Sequence, residues 1–350
     1  MADVQLKATQ IRKLFGRFVA LDGIDVEIER GELLTLLGPS GSGKTTFLMI
    51  LAGFTEPTSG RIEEAGVDIT RRPAEARKYG MVFQGYALFP HMTVEENVAF
   101  PLKVQKIAPA ERKRRVDSML ATVGLEAHRH KRPNQLSGGQ RHALLLDEPL
   151  SALDKNLREQ MRSEIKQLHE KTDATFVFVT HDQTEALALS SRVAIFNHGR
   201  LQQIDRPDAV YERPLNRFVA EFLGRINLLP LSGARRDGHL LRGAFEDCTL
   251  AAVANGGVLA DGGMVAVRPE YMALSSTRPA VDGWNVVPAT IASRLYGGAT
   301  SVLQLQTRSG VPLSLDVRSA EIDGQVEPGR EIWVKWPVER SFALPEQGSP

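Results

Sequence analysis

The stretch Gly38-Pro39-Ser40-Gly41-Ser42-Gly43-Lys44-Thr45-Thr46 carries the densest chemistry in the chain. Its glycines let consecutive backbone N–H groups turn inward on the α- and β-phosphates of a nucleotide, and Lys44 has the length to reach the β- and γ-phosphates. The Thr45 hydroxyl is placed to hold Mg2+ where a helix presents its positive end. Loops rich in glycine and serine also serve as plain turns. Here an apolar run, Leu33-Leu34-Thr35-Leu36-Leu37, precedes the loop, and a helix-forming segment, Thr46 to Ala52, follows it. Strand, loop and helix in that order predict a nucleoside triphosphate site.

Other residues could complete that chemistry. The apolar run Ala143-Leu144-Leu145-Leu146 ends in Asp147-Glu148. Asp147 suits the Mg2+ shell and Glu148 suits polarising the attacking water, although paired acids at a strand end also serve as helix caps. Gln84 could sense the γ-phosphate or the metal through its amide, although an isolated Gln after a strand is usually a turn residue. His181 closes the β-rich run Thr175 to Thr180, where an imidazole could touch the γ-phosphate or simply be a satisfied structural residue. Phe15 could stack on adenine or sit in a core.

The elements that must position these groups follow from periodicity. Val19 to Arg30 alternates like a hairpin strand, Gly80 to Phe83 reads as a short buried strand, and Thr175 to Thr180 as a buried one. Arg158 to Lys171 reads as a helix with Met161, Ile165 and Leu168 on one stripe. Strands alternating with helices predict an α/β layered core. After about Leu229 the texture changes to glycine-rich turns and short period-two runs, Val302 to Thr307 and Glu331 to Trp336, and all three tryptophans (Trp284, Trp333, Trp336) lie there. A separate, mainly β domain, a small barrel, is expected.

Composition bounds the alternatives. A chain of 350 residues suggests two domains. With Lys+Arg 43 against Asp+Glu 42, charge gives no reason to expect a nucleic-acid partner, and Glu111-Arg112-Lys113-Arg114-Arg115 is most simply a solvated helix face. The lone Cys248 excludes an intrachain disulfide and fits a reducing compartment. No stretch approaches the ~18 consecutive apolar residues of a membrane span, and Met1 to Leu14 lacks the apolar core of a secretory signal. The expectation is a cytosolic or peripherally attached protein.

Taken as an ordered set, these motifs resemble the ATPase subunit of an ABC importer. Leu136-Ser137-Gly138-Gly139-Gln140 matches the family signature, Ser151-Ala152-Leu153-Asp154 its D-loop, and Thr180-His181-Asp182 its switch histidine. Phe15 matches the adenine-stacking aromatic, Gln84 the Q-loop, and Asp147-Glu148 the second Walker motif. The tail is similar to the oligosaccharide-binding-like regulatory (TOBE) domain of importer ATPases through Val265-Ala266-Val267-Arg268-Pro269-Glu270 and Tyr296-Gly297-Gly298. Asn97-Val98-Ala99-Phe100-Pro101-Leu102 and Phe222 to Pro230 resemble the spermidine/putrescine subfamily, whose pattern iron, sulfate and sugar importers largely share.

The resemblance implies a P-loop NTPase cassette over 1–233, a mixed sheet flanked by helices with a helical subdomain at about 89–140, then an OB-like barrel domain over 234–350. It implies ATP and Mg2+ as cofactors, with Thr45, Gln84 and Asp147 on the metal, and Glu148, His181 and Gln84 in hydrolysis. It implies a homodimer in which Ser137, Gly138, Gly139, Gln140 and Asp154 of one chain face the ATP on the other chain's phosphate loop. Two transmembrane permease subunits would dock near Gln84 to Phe89, a solute-binding protein would act indirectly, and the location would be the cytoplasmic face of the inner membrane. A soluble ABC ATPase of the translation or DNA-repair kind would be expected to show two cassettes or a long coiled coil, and neither is visible in the sequence.

One departure stands out. The family pattern runs from the signature through a long helix before the acidic strand, whereas here Arg141-His142 leads straight into Ala143-Leu144-Leu145-Leu146. About 13 residues are missing relative to that pattern, ~20 Å of helix at 1.5 Å per residue, while Gln140 to Ala143 spans at most ~11 Å extended. Losing that helix would remove a dipole aimed at the γ-phosphate and about four buried apolar side chains, at about 1.5 to 3 kcal/mol each. The expectation is a chain that keeps ATP affinity in part, with strongly reduced hydrolysis.

Overall fold

The structure is a computed structural model, and it describes residues 3–77, 79, 92–104, 106–122, 126–131, 155–172, 174–254, 263–280, 282–322 and 326–345. The chain divides into two compact units, 1–207 and 208–350.

The first unit opens with a long hairpin, β1 (Val4–Phe15) and β2 (Phe18–Glu29), followed by β3 (Leu33–Leu37) and α1 (Lys44–Ala52). β4 (Ser59–Glu64), β5 (Val67–Asp68) and the single turn α2 (Ala74–Arg77) complete its first half. Next come α3 (Val94–Val104), α4 (Pro109–Thr122) and α5 (Lys155–Thr172), then β6 (Phe176–Thr180), α6 (Gln183–Leu189), β7 (Arg192–Asn197) and β8 (Arg200–Asp205). Among the described residues two four-stranded sheets result, ordered β2-β1-β4-β5 and β6-β3-β7-β8. β3 pairs in parallel with β6 on one side and β7 on the other, and all five of its residues are buried. This is why β3 reads as a continuous apolar run, since a central parallel strand is covered on both faces. The core between the sheets holds Ile11, Ile24, Leu34, Leu36, Phe47, Ile50 and Phe196, with the Phe47 and Phe196 rings 5.6 Å apart.

α1 begins two residues earlier than expected, at Lys44, and its last turn is closed from outside. The buried Arg77 guanidinium donates to Ile50 O (2.9 Å), Leu51 O (2.7 Å), Arg72 O (2.7 Å) and Thr70 O (3.0 Å). A cation on the last carbonyls of a helix adds to their hydrogen bonding and complements the macrodipole. α5 also runs longer than the predicted 158–171; Ile165 is buried and Met161 half-buried, as the stripe requires. In α4, Arg114 and Arg115 pair with Glu111 along an exposed face, as expected for a solvated helix. The strand expected at Gly80 to Phe83 lies outside the described residues.

The second unit starts with α7 (Pro207–Glu212) and α8 (Arg217–Phe222). β9 (Asn227–Asp237), β10 (Leu240–Phe245), β11 (Cys248–Val253) and β12 (Gly263–Val267) follow, then β13 (Ala273–Ser275), β14 (Trp284–Tyr296), β15 (Thr300–Gln306), β16 (Pro312–Arg318), β17 (Glu331–Pro337) and β18 (Ser341–Leu344). β10-β11-β18-β12-β9 closes into a barrel, and β13-β17-β14-β15-β16 forms a second sheet. One apolar core joins the two around the fully buried Trp336. The Tyr296-Gly297-Gly298 motif is the exposed tip of the β14–β15 hairpin.

The boundary expected at 233/234 falls inside β9, a barrel strand. α7 and α8 also belong with the barrel. Arg268, 1% exposed, donates to Ala220 O (2.9 Å), Arg225 O (3.3 Å) and Tyr211 O (3.1 Å) and stacks 4.1 Å above the Tyr211 ring.

Candidate functional site

The phosphate-type loop leaves the C-terminal end of β3, and backbone contacts explain its glycines. A Cβ on Gly38 would lie 2.3 Å from the Phe196 carbonyl oxygen of β7, and one on Gly43 would lie 2.8 Å from Ala20 O. Gly43 also takes φ +101° at the N-cap of α1, a conformation that favours glycine, and supplies no side-chain cap. The first-turn N–H groups of α1, at Lys44, Thr45 and Thr46, therefore face the loop without a side-chain acceptor from the cap residue, the arrangement that receives an anion. The loop is moored to its surroundings: Ser42 N donates to Pro39 O (3.2 Å), Gly199 N to Ser42 O (3.1 Å), and Asp22 N to Gly199 O (2.8 Å). These bonds tie the loop to the β7–β8 turn and to β2.

Lys44 is only 5% exposed and points into its own loop, where Nζ donates to Gly38 O (2.8 Å), Pro39 O (2.9 Å) and Ser42 Oγ (3.4 Å). An anion arriving at the loop mouth would gain charge-assisted hydrogen bonds from this ammonium. Ser40, Gly41 and Thr45 are exposed at that mouth, so Thr45 presents a hydroxyl oxygen, a hard ligand of the kind Mg2+ takes. Among the described residues no group of three or more His, Cys, Asp or Glu is placed to hold a metal.

β6 brings His181 to the loop. Leu37 and Thr180 are register partners in the parallel β3–β6 pair, so Gly38 and His181 leave neighbouring strands at the same level. Ligands of open α/β sheets sit at that edge. His181 is exposed, and its flanks are anchored. Thr180 Oγ1 donates to the Glu185 carboxylate (2.6 Å) and accepts from Asp182 N (3.0 Å). Asp182 caps α6 through Oδ1, which accepts from Thr184 N (2.8 Å) and Glu185 N (3.1 Å). Glu185 is 3% exposed, and burial raises its pKa above the usual carboxylate value.

Phe15 ends β1 and faces its register partner Phe18 across the two-residue turn Gly16-Arg17, where Gly16 takes φ +59°. Phe15 is 53% exposed and Phe18 64%, so neither is a core residue. The Lys13 ammonium lies 5.0 Å from the Phe15 ring centroid and donates to Glu56 O (2.7 Å). Phe18 escapes a motif-based reading; the spacing of Phe15 and Phe18 about a glycine turn is the signal that pairs them.

The structure thus assembles the loop Gly38 to Thr46 with His181 and sets Phe15 at the tip of the hairpin whose second strand touches the loop. Gln84, Ser137, Gly138, Gly139, Gln140, Asp147, Glu148 and Asp154 lie outside the described residues, as does the Arg141-His142 junction. Among the described residues no helix is long and apolar enough to cross a membrane.

Comparison with known proteins gives the following. The ABC transporter family profile matches residues 21–155, and the TOBE domain profile matches 265–344. The chain is similar to proteins described as "Spermidine/putrescine import ATP-binding protein PotA". It is 44% identical to that of Nitrosomonas europaea, over 97% of this chain and 99% of the relative, and 42% identical to that of Nitratidesulfovibrio vulgaris, over 96% of each. Among solved structures it resembles a dimeric ATP-binding cassette in a post-hydrolysis state bound to ADP and Pi. That likeness has TM-score 0.53 and 30% identity, over 58% of this chain and 98% of that one. A Clostridium perfringens cassette from an ABC transporter complex gives TM-score 0.54 and 28% identity, over 59% of this chain and 90% of that one. The Nitrosomonas europaea alignment has 356 positions, whereas 97% of 350 residues is about 340, so about 16 positions of the relative face no residue here.

Proposed function

The chain belongs to the ATP-binding proteins of ABC importers, of the spermidine/putrescine type, and on that premise we propose that it binds Mg–ATP on the Gly38–Thr46 loop and hydrolyses it to drive polyamine uptake. The observation that carries this reading is the level placement of Gly38 and His181 on adjacent parallel strands, with Lys44 caged between loop carbonyls.

The residues divide the work. Loop N–H groups and the first turn of α1 take the α- and β-phosphates, while the Lys44 ammonium turns from Gly38 O and Pro39 O toward the β- and γ-oxygens. Phe15 offers a ring face to the adenine, and His181 donates to the γ-phosphate. Glu148 polarises the attacking water, and Gln84 orients it. Thr45, Asp147 and Gln84 would hold Mg2+, which when bound neutralises charge shared by the β- and γ-oxygens. Ser137, Gly138, Gly139, Gln140 and Asp154 from a second copy close over the same nucleotide, bringing backbone donors to the charge that develops at the γ-phosphate. The partners are that second copy and two permease subunits at the cytoplasmic membrane face, with a solute-binding protein selecting spermidine or putrescine.

The experiment is ATP turnover by the chain reconstituted with its permease subunits, with and without polyamine-loaded binding protein. Turnover stimulated by polyamine supports the reading; turnover stimulated by another solute, or by none, overturns the polyamine assignment.

A second reading has its own support. The excess of about 16 positions in the relative matches the ~13-residue shortening after Gln140 in size. On this reading the same-chain half of the site binds ATP, and hydrolysis falls because the signature stands out of reach of the partner's nucleotide. Inserting a family-length helix between Arg141 and His142 tests it: turnover that rises at unchanged ATP affinity favours this reading, and unchanged turnover rejects it.

A further inference from the structure

The flanks of His181 are tied to a helix that the site described above does not use. Arg158, in the first turns of α5, sends Nη1 to Asp182 Oδ2 (3.4 Å) and brings Nε within 3.9 Å of Glu185 Oε1. Asp182 thereby does two jobs at once: one oxygen caps α6 and the other receives Arg158. Glu185 is buried, accepts from Thr180, and has Arg158 and Arg162 as the cations that lower its pKa against the effect of burial. His181 is the single residue between Thr180 and Asp182, so both of its neighbours are held by this network while its own side chain stays exposed.

A lone, partly exposed ion pair contributes little to stability. This one is different in kind, because it joins three elements, β6, α6 and α5, at the backbone of one residue.

We propose that Arg158 is a positioning residue for His181, acting through Asp182 and Glu185, and that it sets the preference of the site for a third phosphate. The proposal rests on the reading of His181 as the γ-phosphate contact. Arg158 itself touches no nucleotide; it fixes where the imidazole stands.

The test is calorimetric titration of the full chain with ATP and with ADP, in EDTA so that no turnover occurs. Only ATP carries the γ-phosphate, so the ratio of the two affinities reports His181, while ADP affinity reports the integrity of the loop. His181→Ala is expected to lower the ATP-to-ADP ratio about fivefold, Arg158→Gln about threefold, and Arg158→Lys by less than about twofold, with ADP affinity within about twofold throughout. Arg158→Gln added to His181→Ala should lower the ratio no further, because its effect passes through the missing imidazole. Multiplicative loss in the double variant, or an Arg158→Gln loss that appears equally for ADP, overturns the proposal alone. A His181→Ala ratio equal to that of the unaltered chain overturns the γ-phosphate reading and the proposal with it.

Discussion

Two of the buried cations, Lys44 in the first unit and Arg268 in the second, show how the same charge can be working or structural. Lys44 holds two loop carbonyls and a serine hydroxyl at an open mouth of exposed residues. Arg268 holds three carbonyls from α7, α8 and the segment after them, with its plane on Tyr211. An ammonium on a flexible stem can exchange its acceptors one at a time, whereas a planar guanidinium stacked on a ring is committed to all of them together. The aromatic partners repeat the contrast. Phe15 is exposed with Lys13 at 5.0 Å, leaving a ring face for a ligand, while Tyr211 lies under Arg268 at 4.1 Å. Lys44 holds its acceptors at a mouth of exposed residues, and Arg268 is enclosed by its carbonyls and the Tyr211 ring.

Breaking each cation should give opposite signatures. Lys44→Ala removes at least two charge-assisted bonds to phosphate and should weaken ATP binding about a thousandfold, about 4 kcal/mol, while the melting temperature moves by less than about 2 °C. Titration and thermal melting on the same sample check both halves. Arg268→Met strips its donor from one buried and two part-buried carbonyls and should cost the second unit about 3 kcal/mol, with ATP affinity unchanged. Urea denaturation followed by the tryptophans, all of which lie in that unit, reads this loss. If Arg268→Met weakened ATP binding as much as Lys44→Ala, the contrast between the two cations would collapse.

Smaller effects sharpen the comparison. Phe15→Ala should raise the ATP dissociation constant about tenfold through lost stacking and leave stability unaltered, as an exposed ring would. Tyr211→Ala should do the reverse. The buried Glu185 adds a pH test. Its folded pKa is raised above the ordinary 4.5, so folding favours the protonated form; its contribution is fully present below 4.5 and is lost as the pH rises through the folded value. Glu185→Gln should therefore remove a decline in melting temperature of about 2 °C between pH 4.5 and 7, seen by melting both proteins across that range.

What the sequence made legible was local. The loop, its strand and its helix are contiguous, so their order alone announced a phosphate site, and the α5 stripe and the β6 run were visible for the same reason. The juxtaposition of Leu37 with Thr180 was not, because that pairing spans more than a hundred residues and depends on sheet order. Phe15, as a single aromatic near the N-terminus, reads more often as core, and only the hairpin sets it opposite Phe18 in solvent. The two units divide at 207/208 rather than 233/234, because α7 and α8 are bound to the barrel by the carbonyls they give to Arg268, by Ala220 packed with Ala266 and Phe342, and by Tyr211 with Glu270, none of which is near in sequence. The network of Arg158, Asp182 and Glu185 left no motif, since a charge at one helix and two at another gain meaning only when folded together.

The most direct test of the account is steady-state Mg–ATP hydrolysis by the purified chain, run beside Glu148→Gln. Turnover clearly above that variant is the predicted result, and it would mean that Ser137 of one copy reaches the nucleotide on the loop of the other. Turnover equal to that variant, in a chain that still binds ATP and melts cooperatively, would contradict the account, because the loop would then hold nucleotide without any means of using it.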